Sequence, residues 1–117
     1  MKRFLKSFLY AWEGLEYTAR TQFNFKVHFI GFLFMIFTSF YFSFTKIEFI
    51  ICLILGFLVL ILEILNTALE CLVDLASPKF HILAKRAKDC AAGAVLLSAM
   101  LSVIVWLLIM YNKTILK

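Results

Sequence analysis

Three stretches of this sequence, 27–45, 49–62 and 90–112, contain no Asp, Glu, Lys or Arg. An α-helix rises about 1.5 Å per residue, so about twenty residues cross the roughly 30 Å hydrocarbon core of a bilayer. The first and third stretches are long enough as they stand. The second continues apolar around four polar positions, Glu63, Asn66, Glu70 and Asp74. With 64% of the residues hydrophobic and 17% aromatic, the composition lies far from that of a soluble domain. Only helices and closed barrels satisfy their backbones in lipid, and the stretches lack the alternation of apolar and polar residues that barrel strands need. The expected fold class is an all-α membrane protein with three transmembrane helices, at about 27–45, 49–73 and 88–112.

The first twenty-odd residues read differently. Phe4, Leu5, Phe8, Trp12 and Leu15 share one helical stripe, with Lys2, Lys6, Glu13 and Glu16 largely off it. That spacing predicts an amphipathic surface helix over 1–22, lying in the membrane interface, and not a cleaved signal peptide, whose apolar stretch would be unbroken by charge. No linker, repeat or low-complexity segment interrupts the chain and its only proline is Pro78, so residues 1–117 read as a single domain.

Net charge is +5, and its distribution is informative. Lys2, Arg3, Lys6, Arg20 and Lys26 precede the first span, and Lys79, Lys85, Arg86 and Lys88 lie between the second and third. By the positive-inside rule both segments are cytoplasmic. Lys113 and Lys117 fall on the far side as a weak counter-signal. Basic residues at membrane margins suit anionic headgroups, so nucleic acid is not an expected partner. Cys52, Cys71 and Cys90 form no CxxC pair and read as reduced packing residues.

The segment ILEILNTALECLVD, 61–74, poses the functional question. A carboxylate at the centre of a membrane helix costs about 2.5 to 3.5 kcal/mol even on the lower scales. Glu63, Asn66, Glu70 and Asp74 recur at i, i+3, i+7 and i+11, so they project from one narrow helical face, with Thr67 beside them. Polar side chains can glue membrane helices together. Three like charges without a lysine or arginine in the same helix repel one another unless a cation or protons intervene. Carboxylate and amide oxygens in this arrangement suit a hard divalent ion such as Mg²⁺, whose shell is commonly completed by water and phosphate. Lys85, Arg86, Lys88 and Asp89 stand across the loop, where a nucleoside triphosphate would need positive charge. There is no GxxxxGK[ST] loop. Three short helices cannot easily wall off such a site alone, which points to oligomerisation.

Two motifs carry a family resemblance. EILNTALECLVDLAS with His81 after it, and LAKRAKDCAAGAVLL at 83–97, resemble the small prokaryotic diacylglycerol kinase family, whose members include undecaprenol kinases of Gram-positive bacteria. The paired motifs ExxNxxxExxxD and AKD are specific in this order, and the likeness runs from about Phe4 to Trp106. TARTQFNFKVH, 18–28, resembles the undecaprenol kinase branch. The resemblance implies an ATP-dependent lipid kinase of the bacterial inner (cytoplasmic) membrane, assembled as a homotrimer with Mg²⁺ and its active sites near the cytoplasmic face. It implies Glu63 as general base and Asn66 as an active-site hydrogen-bonding residue. Glu70 matches a metal ligand also counted as ATP-binding, and Arg3, Tyr10, Lys79, Phe80, His81, Lys88 and Asp89 match nucleotide contacts. Gln22 stands where many relatives carry a metal-binding glutamate, so the metal there would gain a carbonyl oxygen but no charge.

The expected reaction is transfer of the γ-phosphate to the primary hydroxyl of undecaprenol. Diacylglycerol is the alternative acceptor, since both lipids bring one hydroxyl to the interface. The competing non-enzymatic reading is a small oligomeric channel or assembly subunit with carboxylates lining its core, for which the basic cluster and the AKD motif have no use.

Overall fold

In a computed structural model, which describes residues 1–116, the chain forms α1 (Lys2–Thr21), α2 (Phe23–Tyr41), α3 (Lys46–Ala76) and α4 (Ile82–Thr114). No strand occurs among the described residues. The three helices α2, α3 and α4 are long and apolar enough to cross a membrane.

Two of them outrun the bilayer. With 31 and 33 residues, α3 and α4 are about 46 and 50 Å long against about 30 Å of hydrocarbon. Their far ends are level, because Lys113 in the last turn of α4 meets Glu48 in the first turn of α3 at 2.9 Å. The surplus therefore falls at the opposite, basic end. Glu70 and Asp74 lie in the last turns of α3 there, and Lys85, Lys88 and Asp89 in the first turns of α4.

The α2–α3 corner is fixed by local chemistry. Ser43, at φ 54°, closes α2 in the left-handed region, and the amides of Phe44 and Ser43 return to the carbonyls of Ser39 and Phe40 at 2.9 and 3.3 Å. This is the Schellman pattern that satisfies the last carbonyls of a helix. Thr45 then caps α3: its hydroxyl accepts from the Glu48 amide at 3.2 Å, and its own amide donates to Glu48 Oε1 at 2.8 Å. The T-x-x-E spacing of this capping box is visible in the sequence.

Packing is most extensive between α3 and α4, then between α2 and α3. Phe32 and Met35 of α2, Cys52 and Leu60 of α3 and Ile109 of α4 form the core. Gly56 makes room for it, since a Cβ there would overlap the Phe32 ring. Small residues at such crossings let membrane helices approach closely. Two polar ties add direction: Trp106 Nε1 donates to Thr38 Oγ1 at 2.9 Å, and the Ser102 hydroxyl donates to the Leu55 carbonyl at 3.2 Å.

Helix α1 docks only by its C-terminal end, where Thr18 is buried and the Tyr17 hydroxyl lies 3.7 Å from Cys71 Sγ on α3. That contact holds the Tyr17 phenol above its ordinary pKa. Phe4, Phe8 and Trp12 remain exposed, an apolar stripe that suits a membrane interface. Gln22, in extended conformation, separates α1 from α2.

Candidate active site

Helical periodicity places Glu63, Asn66 and Glu70 on the face of α3 that turns inward at its deep end and opens toward its C-terminus. Glu63 is 1% exposed and Asn66 6%, Glu70 is half-buried, and Asp74 is exposed. Three short helices are not expected to enclose every wall of a polar site easily by themselves. Within the single chain the deep end of the stripe is nevertheless buried, at Glu63 and Asn66, while Glu70 and Asp74 toward its mouth are not.

Hydrogen bonding along the stripe is uneven. The Thr67 hydroxyl donates to the Glu63 carbonyl at 2.9 Å and is satisfied by the backbone. The Asn66 amide donates to Glu70 Oε1 at 3.1 Å. Glu63 Oε1 and Asn66 Oδ1, both buried, have no hydrogen-bond partner among the described residues. Buried polar atoms are rarely left unpaired, because stripping them of water without compensation costs free energy. Two orphaned acceptors three residues apart on one face are therefore ready for a donor from outside the chain, such as a hydroxyl, or for a cation.

At the start of α4 Lys85, Lys88 and Asp89 are paired, while Arg86 makes no ion pair among the described residues. Lys88 forms an ion pair with Asp74 across the α3–α4 hairpin, and Lys85 Nζ holds Asp89 Oδ2 at 2.6 Å one turn along. His81 is the N-cap of α4, its Nδ1 accepting from the Leu83 amide at 3.1 Å. Lys79 and Phe80 are exposed in the short connection, where Ser77 Oγ donates to the Lys79 carbonyl at 2.8 Å. Arg3 and Tyr10 lie on the exposed half of α1, and their side chains make no hydrogen bond or ion pair among the described residues.

The structure thus aligns Glu63, Asn66 and Glu70 on α3 and joins the mouth of that stripe to Lys88. It leaves Arg3 and Tyr10 on a separate element. Among the described residues no group of three His, Cys, Asp or Glu side chains is gathered into a metal cage. The half-buried carboxylate of Glu70 at the mouth of the stripe is a donor of the kind Mg²⁺ takes, one or two carboxylates with the shell completed by water and phosphate. The Asp74–Lys88 pair was not anticipated from the sequence. Its only signal there is the opposite charge of two residues that flank a short helix–helix connection.

Between α2, α3 and α4 runs a cavity of about 360 Å³ lined by His28, Gly31, Phe32, Val59, Ser102 and Trp106 among others. Val59 precedes Glu63 by one turn, so the α3 wall of this apolar cavity continues into the acidic stripe.

Fold and site together define a small multi-pass membrane protein with an acidic stripe that descends from a basic rim into the hydrocarbon layer. The chain belongs to the prokaryotic diacylglycerol kinase family, whose model matches residues 9–110. It is 43% identical to the undecaprenol kinase of Bacillus subtilis over 113 residues, 97% of this chain and 92% of that protein. It is 47% identical to a diacylglycerol kinase of Synechocystis over 102 residues, 86% of this chain but 58% of that longer protein. Against the diacylglycerol kinase of Escherichia coli K12 the identity is 29% over 94% of this chain.

Proposed function

We propose that this protein is an ATP-dependent lipid kinase that transfers the γ-phosphate to the primary hydroxyl of undecaprenol, giving undecaprenyl phosphate for reuse as a cell-wall carrier. The observation that carries this reading is the carboxylate of Glu63, 1% exposed and with an unpartnered Oε1. It lies about 10 Å along α3 from Glu70, at seven residues of about 1.5 Å each. An alcohol reaches a base at that depth when a lipid carries it there.

In this scheme Glu63 accepts the proton of the lipid hydroxyl as the hydroxyl oxygen forms its bond to the γ-phosphorus and the bond to the β-phosphate oxygen breaks, releasing ADP. Such a transfer needs positioning and charge stabilisation more than covalent help from the protein. Asn66, tied to Glu70 at 3.1 Å, fixes the spacing between base and phosphate. Glu70 and Gln22 would hold Mg²⁺, which when bound supplies positive charge to the phosphates. Lys88 and Asp89, with Arg3, Tyr10, Lys79, Phe80 and His81, are assigned to the nucleotide. The apolar cavity whose wall leads to Glu63 receives the lipid chain. The protein works as a homotrimer in the inner (cytoplasmic) membrane, with the nucleotide entering from the cytoplasmic face, where the basic end lies under the positive-inside rule.

Likeness to the Bacillus subtilis enzyme along nearly the whole of both chains supports undecaprenol as the acceptor. Likeness to the Synechocystis diacylglycerol kinase favours diacylglycerol as the second reading, although it covers 58% of that protein. The test is ATP- and Mg²⁺-dependent phosphate transfer to each lipid in mixed micelles. Faster transfer to undecaprenol supports the first reading, faster transfer to diacylglycerol replaces it with the second, and transfer to neither removes the kinase assignment.

A further inference from the structure

The geometry points to Asp74 as a positioning residue: its carboxylate holds the Lys88 ammonium at the mouth of the acidic stripe, oriented for the phosphates of the nucleotide. The inference rests on the kinase reading above, in which Lys88 contacts those phosphates.

Asp74 follows Glu70 by one helical turn on the same face of α3, about 6 Å further along the axis. Lys88 comes from the other helix of the hairpin and closes on Asp74. A phosphate group held beside Glu70 therefore lies within one turn of the Lys88 ammonium. That ammonium has three donors, and the bond to Asp74 engages one, leaving two for phosphate oxygens.

A role in holding the fold together explains the pair poorly. Both side chains are substantially exposed, at 39% for Lys88 and 65% for Asp74, and ion pairs in such positions add little to stability. Helices α3 and α4 are already packed along their length and tied by the Ser102–Leu55 hydrogen bond and by the Glu48–Lys113 pair at the far end. A lysine is instead a flexible four-carbon stem with a point charge at its tip, and fixing it beforehand lowers the entropy lost when it meets a ligand. Lys85 holds Asp89 in the same way one turn along α4. Two neighbouring charges at the rim are thus each held by an oppositely charged partner.

The test is a kinetic cycle on the full-length protein in mixed micelles, with Asp74→Ala, Asp74→Glu, Lys88→Ala and the Asp74→Ala/Lys88→Ala double variant, each checked by thermal unfolding. Asp74→Ala is expected to raise KM for ATP by about fivefold with kcat held within about twofold, the scale of an exposed ion pair, and Asp74→Glu to recover most of that loss. In the Lys88→Ala background, Asp74→Ala is expected to change nothing further. An unaltered KM in Asp74→Ala, an additive loss in the double variant, or a fall in kcat that tracks a lowered unfolding midpoint overturns the positioning role while leaving the kinase reading intact. Absence of transfer by the unsubstituted protein is a different result and removes both.

Discussion

Asn66 donates its side-chain amide to Glu70 Oε1 at 3.1 Å, while its own Oδ1, buried beside Glu63, has no partner among the described residues. One residue thus links the half-exposed and the buried carboxylates of the stripe, satisfied on the rim side and open on the deep side. The proposed mechanism uses this asymmetry, with phosphate charge handled at the rim and proton transfer at depth.

Glu70→Gln tests the rim. The amide preserves the shape of the side chain and can still accept from Asn66, but it removes the negative charge offered to the metal. Interactions with charged groups are commonly worth about 1.5 to 3 kcal/mol, so KM for Mg-ATP should rise by about tenfold or more. Measuring KM across a range of Mg²⁺ concentrations checks this. A KM equal to that of the unsubstituted protein at every concentration assigns the metal elsewhere.

Gln22→Glu tests the departure from the family pattern. An added carboxylate raises the charge of the donor set, and cation affinity follows charge count. The Mg²⁺ concentration for half-maximal activity should fall by roughly threefold to tenfold. No change, or an increase, places Gln22 outside the metal site.

Two glycines that line the cavity test its proposed role in receiving the lipid. At Gly56 a Cβ would overlap the Phe32 ring, so Gly56→Ala should destabilise the protein by about 1 to 3 kcal/mol through overpacking. At Gly31, which also lines the cavity, a Cβ meets nothing within 4 Å. Gly31→Leu should therefore fold normally and raise KM for the lipid but not for ATP. Thermal unfolding in micelles and kinetics with each substrate varied in turn read the two effects. Equal behaviour of the two variants contradicts the assignment of the cavity.

Much of this was legible in the residues. The three uncharged stretches mark the three long apolar helices because length and hydropathy are local properties. Their bounds differ: α2 (Phe23–Tyr41) begins and ends four residues before the expected 27–45, its end set by the Ser43 turn, and α3 and α4 outrun 49–73 and 88–112. The 63, 66, 70, 74 spacing defines the stripe because helical periodicity is local. What the sequence left open depends on tertiary proximity. Lys113 looked like a charge on the wrong side of the membrane, yet it donates to Glu48 at 2.9 Å and to the Ser43 carbonyl at 3.3 Å. Asp74 had no assigned role until α4 brought Lys88 to it. The near-complete burial of Glu63 depends on how α2 and α4 pack about α3, which periodicity alone does not specify. The docking of α1 through Tyr17 and Cys71 likewise joins residues far apart in the chain.

Glu63 as the general base is tested most directly by Glu63→Gln, assayed for phosphate transfer to undecaprenol and, separately, for ATP binding. A positioned general base typically contributes about 10² to 10⁴ in rate. Turnover is expected to fall by that order while the dissociation constant for Mg-ATP stays within about threefold. Turnover at the level of the unsubstituted protein would contradict the assignment of Glu63 as the base.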